Sequence, residues 1–181
     1  VRAGNEKVLA ARLADARFFY EEDMKRPLAD RVADLRGVVF QERLGTMYEK
    51  AVRIGRLASE LLLGAPEAAL AERTALLAKA DLVTSVVREF TELQGVMGRE
   101  YAVRHGEDRI VAEAIFEHYL PRFAGDTLPA SLLGAALSVA DKIDTVVGYF
   151  SIGLVPSGSA DPYALRRQAA GAVSVHAEWR F

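Results

Sequence analysis

Three aspartates lie inside mainly apolar stretches of the sequence. Asp81 falls within residues 76–83, while Asp141 and Asp144 are three residues apart within residues 140–146. That spacing places two carboxylates on one face of a helix. Carboxylates close to a core must be paired or hydrogen-bonded, so the pattern favours structural hydrogen bonds between core helices. A hard-metal site is the alternative, but Mg²⁺ or Mn²⁺ would require more oxygen or imidazole ligands than these three provide.

The histidines are the next candidates for metal ligands, and two glycines for a nucleotide-binding motif. The sequence has three histidines, His105, His118 and His176, and none has another histidine three or four residues away, the spacing that puts two ligands on one helix face. We interpret them as surface or helix-capping residues. The segment from Gly95 to Gly98 lacks the third glycine and the preceding strand of a dinucleotide-binding motif. Its two glycines therefore indicate a bend or a close approach between helices. We predict no catalytic residue and no metal ligand.

Charge and composition narrow the class of protein. A net charge of −2 argues against binding of nucleic acid through the overall charge of the protein surface, although 23 lysines and arginines could form a local basic face. The absence of cysteine excludes disulfides and thiolate zinc sites. Apolar runs stay far below the ~20 residues of a membrane span, and the first residues lack a signal peptide's apolar stretch. We expect a cytoplasmic protein that does not enter a membrane.

The elements that must position these residues are helices. Apolar residues recur at helical spacing through most of the chain, and Thr46 with Glu49 forms a capping-box sequence. We predict a long helix over residues 67–88, a second capping box at Thr91, and a core helix ending near residue 150. Residues 37–40 could be extended, but they are too short and solitary to make a sheet. The pattern predicts an all-α fold of seven to nine helices.

The end of the chain predicts one more helix. Asp161 followed by Pro162 is typical of an N-cap with proline at the first helical position. We therefore expect a compact helical bundle with an appended C-terminal helix. The predicted division is an N-terminal helical segment at 1–36, a helical domain at 37–152, and a loop with the start of a following module at 153–181.

Seven strings of the sequence resemble the β subunit of bacterial glycyl-tRNA synthetases that contain two kinds of subunit. They occur in order between about residues 5 and 171, which is more than nine-tenths of the chain, whereas residues 174–181 follow no pattern of that family. The strings are RLADARFFY (12–20), VFQERLGT (39–46), AKADLVT (78–84), ELQGVMG (92–98), HYLPRFAGD (118–126), ADKIDT (140–145) and DPYALRR (161–167).

The resemblance implies a role in protein biosynthesis. The chain would be an internal segment of the β subunit of glycine–tRNA ligase, which attaches glycine to tRNA(Gly) with ATP. In that family ATP and Mg²⁺ act at the α subunit, so the resemblance implies no cofactor in this segment. It also implies tRNA binding and subunit architecture as the segment's contribution, with tRNA(Gly) and the α subunit as partners in a tetramer of two α and two β subunits. The isolated segment would be inactive.

The resemblance also implies a fold for residues 37–152. The middle of this β subunit resembles the HD fold, a helical domain known from metal-dependent phosphohydrolases, and residues 153–181 would begin an anticodon-binding module. Ala80 and Asp81 then take the place of the His-Asp pair, and Asp141 takes the place of the final metal-binding aspartate. A methyl group cannot ligate, so these positions would be vestigial.

The sequence leaves two other functions open. It also does not identify which residues contact tRNA, so these contacts are given as candidates. One alternative is a divergent HD-type metal-dependent phosphohydrolase. The other is a pure subunit-interface scaffold, which would expose a contiguous apolar patch. Six basic residues are the candidates for contacts with tRNA: Arg43, Lys50, Arg53, Arg122, Arg166 and Arg167.

Overall fold

Helices make up most of the protein. The computed structural model describes residues 2–181, with side chains described from Gly4 onward. In this part of the chain the α-helices are α1 (Arg2–Asp23), α2 (Met47–Leu61), α3 (Ala68–Ala78), α4 (Ser85–Glu89), α5 (Val96–Arg104), α6 (Arg109–Glu117), α7 (Leu132–Ser151) and α8 (Leu165–Trp179). Short 3₁₀ helices span Ala29–Gly37, Ala80–Val83 and Thr91–Leu93. The prediction of an all-α bundle is confirmed.

A small hairpin precedes α2. Strand β1 (Val39–Gln41) pairs antiparallel with β2 (Gly45–Thr46). The expectation that residues 37–40 stay solitary was therefore wrong, because the turn after Gln41 brings a partner strand within four residues. Thr46 ends this hairpin and caps α2, with its side chain accepting from the Glu49 amide and the Glu49 carboxylate accepting from the Thr46 amide. The predicted capping box is confirmed, and such a cap contributes ~1 kcal/mol.

The predicted long helix over 67–88 is interrupted. Helix α3 ends at Ala78, a 3₁₀ turn follows, and α4 starts after Thr84, whose hydroxyl accepts from the Val87 amide. The buried carboxylate of Asp23 also accepts from the Ser85 and Val86 amides at 2.9 Å each. Two side-chain acceptors at this helix start favour the break, because free amides of a first turn need partners.

The second predicted capping box was also wrong. Thr91 begins a 3₁₀ turn, and α5 starts after Gly95, whose φ is 78°. Asp81 supplies the cap from a distant part of the chain, since its Oδ2 accepts from the amides of Gly95 at 2.6 Å and Gly98 at 3.2 Å. A β-carbon on Gly98 would lie 2.7 Å from Ile115 Cγ2. The interpretation of these glycines as a bend and a close helix approach is confirmed.

Two of the apolar clusters hold α2, α3, α5, α6 and α7 together. Ile54 and Leu133 belong to the cluster that α2, α3, α6 and α7 share. Leu77, Tyr101 and Ile115 belong to a second cluster, in which α3 meets α5 and α6. Burial of each large apolar side chain contributes ~1.5–3 kcal/mol. The polar residues described below lie between these helices, so the clusters fix their positions.

Helix α8 packs on α7 through Val175 and Ala135. It begins at Leu165 after Ala164, which has a φ of 53°. The predicted start at Asp161 and Pro162 was therefore wrong by one turn. The Asp161 carboxylate still caps the helix, accepting from the Leu165 amide at 2.8 Å and the Arg166 amide at 2.9 Å. Among the described residues, no helix combines the length and hydropathy needed to cross a bilayer.

Candidate functional site

Asp141 is the centre of a buried ion-pair network. It lies on α7, where its Oδ1 is 2.8 Å from Nζ of Lys50 on α2, and its Oδ2 accepts from Nζ of Lys79 at 2.6 Å. Both lysines are at most 4% exposed, so water does not screen these pairs as it would at the surface. Burial alone would raise the pKa of Asp141, but the two ammonium groups outweigh it and hold that pKa well below its usual range. Asp141 therefore stays ionised.

Asp144 extends the network by one helical turn. Its Oδ2 accepts from Lys50 Nζ at 3.0 Å, and its Oδ1 accepts from Arg53 Nε at 2.6 Å. Lys50 also donates to Thr145 Oγ1 at 2.8 Å. Two carboxylates on one face of α7 thus bind two cations from α2. The prediction of structural hydrogen bonds between core helices is confirmed for these acids.

His118 is not a surface residue. It follows α6 and is 1% exposed, which corrects the expectation of a surface histidine, although it does stand at the C-cap of that helix. Nδ1 lies 2.6 Å from the Ile115 carbonyl, so Nδ1 carries the proton and Nε2 accepts from Lys79 Nζ at 2.9 Å. Burial, followed by the charge of Lys79, lowers the pKa of His118 well below its usual value. The imidazole is therefore neutral.

Lys142 is a third buried lysine beside Asp141. Its ammonium group donates to the Leu120 carbonyl and to Ser138 Oγ, both at 2.8 Å. Burial lowers the pKa of Lys142 to about 8, and the charge of Asp141 partly offsets this effect. The same cause lowers the pKa of Lys79, where burial again outweighs Asp141. Three buried lysines thus lie beside the two carboxylates of Asp141 and Asp144.

These lysines line a cavity of about 310 Å³. We call it the lysine cavity and define it by Lys50, Lys79, Lys142, Asp141, Tyr149 and Tyr163, with Gln94, Tyr119 and Gln168 near its edge. A second, smaller hollow of about 170 Å³ shares Gln94, Tyr119 and Gln168 with it and adds Arg122 and Arg167. We call this second hollow the arginine depression. The two hollows adjoin through the residues that they share.

Asp81 is separate from this network. Its carboxylate caps α5 through Oδ2, as described above, while its buried Oδ1 has no hydrogen-bond partner among the described residues. Burial raises the pKa of Asp81 to about 6, with the Gly95 amide and the Lys79 charge acting in the opposite direction. Asp81 thus accepts hydrogen bonds across helices, as the sequence predicted, without joining Asp141 in one site.

The side chains at Ala80, Asp81 and Asp141, which correspond to the HD site, do not form a set of metal ligands. Ala80 offers a methyl group, Asp81 is directed at two backbone amides, and both oxygens of Asp141 contact lysine ammonium groups. In the described part of the chain, no three histidine or acidic side chains are grouped so that they could hold a metal ion. Lysine ammonium groups occupy the place where a cation would balance Asp141, so no metal-dependent step can be assigned to these residues.

The six candidate tRNA contacts fall into three places. Arg122 and Arg167 line the arginine depression, and Arg166 is exposed beside Arg167 at the start of α8. Arg43 and Arg53 line a different groove, where Arg43 donates to the Ile152 carbonyl at 2.9 Å and Arg53 pairs with Asp144.

Lys50 is the exception among these candidates. Its ammonium group is buried in the network with four oxygen acceptors. Lys50 is 3% exposed and lines the lysine cavity, so a contact between Lys50 and tRNA stays a prediction that requires the phosphate to enter this cavity.

The roles of Lys79, Lys142 and His118 in the interior were not predicted from the sequence. A signal was present, because Lys79 stands between two alanines and Lys142 follows Ala140-Asp141 inside an apolar helix. Lysine is almost never fully buried unless it is paired. A lysine within an apolar run should therefore be considered together with any aspartate in a similar run.

The fold and the site define a class of protein: a helical module whose interior charges form a lysine–carboxylate network. The family model described as "Glycyl-tRNA synthetase beta subunit" matches residues 1–181. Proteins named "Glycine--tRNA ligase beta subunit" are similar along nearly the whole chain. The one from Desulforamulus reducens is 64% identical over 94% of the chain, the one from Clostridioides difficile 58% over 97%, and the one from Geobacter sulfurreducens 58% over 95%.

The chain belongs to the glycyl-tRNA synthetase beta subunit family. It spans about a quarter of the length of these relatives, 25% or 26% in each case. The resemblance stated from the sequence is thus confirmed.

Proposed function

We propose that this chain is a segment of the β subunit of glycine–tRNA ligase, and that it contributes tRNA binding and subunit architecture. The observation that carries the proposal is similarity along the chain at 55–64% identity to proteins of that name. The whole enzyme would attach glycine to tRNA(Gly) in the cytoplasm. Its ATP and Mg²⁺ would act at the α subunit, in a tetramer of two α and two β subunits, and this segment would hold no cofactor.

The charges of the structure support RNA binding at one place. Because the net charge is −2, contacts with phosphates need a local basic face. The arginine depression and the exposed Arg166 beside it provide such a face. Arg167 has no ion-pair partner within 4.0 Å among the described residues, whereas Arg122 is paired with Asp126 at 2.9 Å. Among the six candidates, Arg166 and Arg167 are therefore the most available for contacts with phosphates.

Helix α1 supports the architectural part of the proposal. Its side chains include four large apolar groups that are about 60% exposed, Val8, Leu9, Leu13 and Phe18. Exposed apolar surface of this kind is typical of surfaces that bind protein. The scaffold function is therefore kept as a part of the proposal. The division into an N-terminal segment, an HD-like domain and the start of an anticodon-binding module is proposed with it.

A binding titration tests the tRNA contact. Fluorescence anisotropy of labelled tRNA(Gly) with the 181-residue chain should give weak binding that falls steeply as salt increases, because a few arginine–phosphate contacts release counterions. Arg166→Glu with Arg167→Glu should weaken binding and reduce the salt slope. The exposed Arg56 and Arg109, changed together to Glu, serve as a control with the same change of charge. Equal loss in both double variants would count against a specific basic face.

A further inference from the structure

The lysine cavity contains more positive charge than the network inside it neutralises. In the described part of the chain, Lys50, Lys79 and Lys142 line the cavity with one carboxylate, that of Asp141. Asp144 lies outside the lining, where Lys50 and Arg53 share its carboxylate. Uncompensated buried charge is costly, and an anion in the cavity would offset it.

Some of the hydrogen-bond donors around the cavity remain available. An ammonium group has three N–H bonds, and Lys79 uses two of them, for Asp141 Oδ2 and His118 Nε2. Lys50 and Lys142, by comparison, are saturated with oxygen acceptors. The third N–H of Lys79 has no hydrogen-bond acceptor within the described residues, and the Tyr119 ring lies beside the ammonium group, with its centroid 4.6 Å from Nζ. The side-chain amides of Gln94 and Gln168, which also line the cavity, make no hydrogen bond within the described residues.

Aromatic rings form another part of the wall. Tyr149 is buried and Tyr163 is 43% exposed, with their ring centroids 4.4 Å apart. Both line the lysine cavity. A partly exposed ring beside a buried one offers a face on which a planar heterocycle can stack, and a stacked base contributes ~1–3 kcal/mol. The cavity therefore combines cationic donors with an aromatic platform.

We propose that the lysine cavity binds a nucleotide, with the phosphate at Lys79, Gln94 and Gln168 and the base against Tyr149 and Tyr163. A volume of about 310 Å³ lies within the usual size of small-ligand sites. The nucleotide can be a free mononucleotide or the phosphorylated end of an RNA strand. The second source is compatible with the arginine depression, which adjoins the cavity and would take the next phosphate of a strand. The inference does not depend on the proposed function, since it concerns binding by the 181-residue chain alone.

Calorimetric titration of the 181-residue chain with AMP, adenosine and inorganic phosphate tests the proposal. AMP should bind at least about tenfold more tightly than adenosine, because adenosine lacks the charged group that meets Lys79. AMP should also exceed inorganic phosphate, which lacks the ring. Binding of AMP no tighter than adenosine, or no tighter than phosphate, would overturn the assignment.

Variants locate the binding within the molecule. Gln168→Glu places a negative charge at the cavity edge without touching the buried ion pairs, and it should weaken AMP binding by about tenfold. Ala33→Glu, an exposed change of the same charge on the 3₁₀ helix Ala29–Gly37, should leave it unaltered. Tyr163→Ala should weaken AMP but not phosphate. Unchanged AMP affinity in both cavity variants would contradict the proposal.

A competition arm separates the two sources of the phosphate. A short RNA with a 5′-phosphate, and the same RNA with a 5′-hydroxyl, are added to the AMP complex. Displacement by the phosphorylated RNA alone supports a strand end as the occupant, and displacement by neither supports a free mononucleotide. Equal displacement by both RNAs would show that the terminal phosphate is not recognised, which would overturn the proposed contact at Lys79.

Discussion

Asp141 neutralises two lysines that would otherwise repel each other inside the protein. Its substitution by alanine leaves the ammonium groups of Lys50 and Lys79 buried with one carboxylate fewer. Breaking a buried pair by removing one partner costs about 3–5 kcal/mol. We expect Asp141→Ala to lower the free energy of unfolding by that order, as measured by urea denaturation followed by circular dichroism. Glu42→Ala, at an exposed turn, is the control, and equal stability of the two variants would remove Asp141 from the core network.

Asp81 should make the protein less stable as the pH rises. Its folded pKa of about 6 lies above the unfolded value of 3.8, so between these values the folded state holds a proton that the unfolded state has released. Stability from this group is therefore lost as the pH rises from about 4 to 6 and stays lost above. The difference between 6 and 3.8 corresponds to about 3 kcal/mol.

The variant Asp81→Asn isolates this effect. A neutral amide can accept from the amides of Gly95 and Gly98 without a buried charge, so the variant should gain up to about 3 kcal/mol over the wild-type protein above pH 6 and little at pH 4. Thermal unfolding across this pH range measures the difference. Asp15→Asn, an exposed change on α1, should show no such trend. A stability difference for Asp81→Asn that does not vary with pH would contradict the raised pKa.

At the scale of elements, the packing of α2 on α3 depends on a small residue. A β-carbon on Gly55 would lie 2.9 Å from the Glu72 Cα and 3.3 Å from the Ala75 Cβ. Because the nearest atom is backbone, Gly55→Ala must push the helices apart, and overpacking of this kind costs about 1–3 kcal/mol. That cost exceeds the gain of ~1 kcal/mol that alanine brings to a helix. Denaturation midpoints should fall for Gly55→Ala and not for Gly37→Ala, which meets nothing within 4 Å.

Local patterns predicted most elements, and distant partners explain the failures. The periodicity that defines α7 and the capping box at Thr46 depend on residues near in sequence, so both could be predicted. The starts of α4 and α5 depend on Asp23 and Asp81, whose carboxylates cap helices far along the chain. Thr84 is a local signal for the start of α4, but nothing near these helix starts in the sequence indicates the caps from Asp23 and Asp81. Sequence spacing therefore located the acids correctly but not their partners.

The candidate site could be predicted from the sequence only in part, again because local spacing does not identify distant partners. The pairing of Asp141 and Asp144 with core helices followed from their spacing and surroundings. The identity of the partners did not follow, since Lys50 and Lys79 come from α2 and from the residue after α3. Lys50 was predicted as a candidate tRNA contact because it lies with Arg43 and Arg53 around one helix start. Its burial becomes visible only when the helices are packed together.

At the scale of the whole molecule, the basic groups divide into an interior set and a surface set. Lysines hold the core together and line the lysine cavity, while Arg122, Arg166 and Arg167 lie outside around the arginine depression. This division allows the proposed tRNA binding to be tested at the surface without disturbing the buried ion pairs. The proposed function, tRNA binding by a segment of a glycine–tRNA ligase β subunit, can thus be tested by surface charge alone.

Charge reversal in the reassembled full-length enzyme is the most direct test of that claim. With Arg166→Glu and Arg167→Glu in the β subunit, we expect slower charging of tRNA(Gly) and unchanged formation of glycyl-adenylate by the α subunit. The paired control is Arg56→Glu with Arg109→Glu, which should leave both steps intact. Unchanged charging in the Arg166 and Arg167 variant would contradict tRNA binding at this face, and equal loss of both steps would assign these arginines to subunit assembly instead.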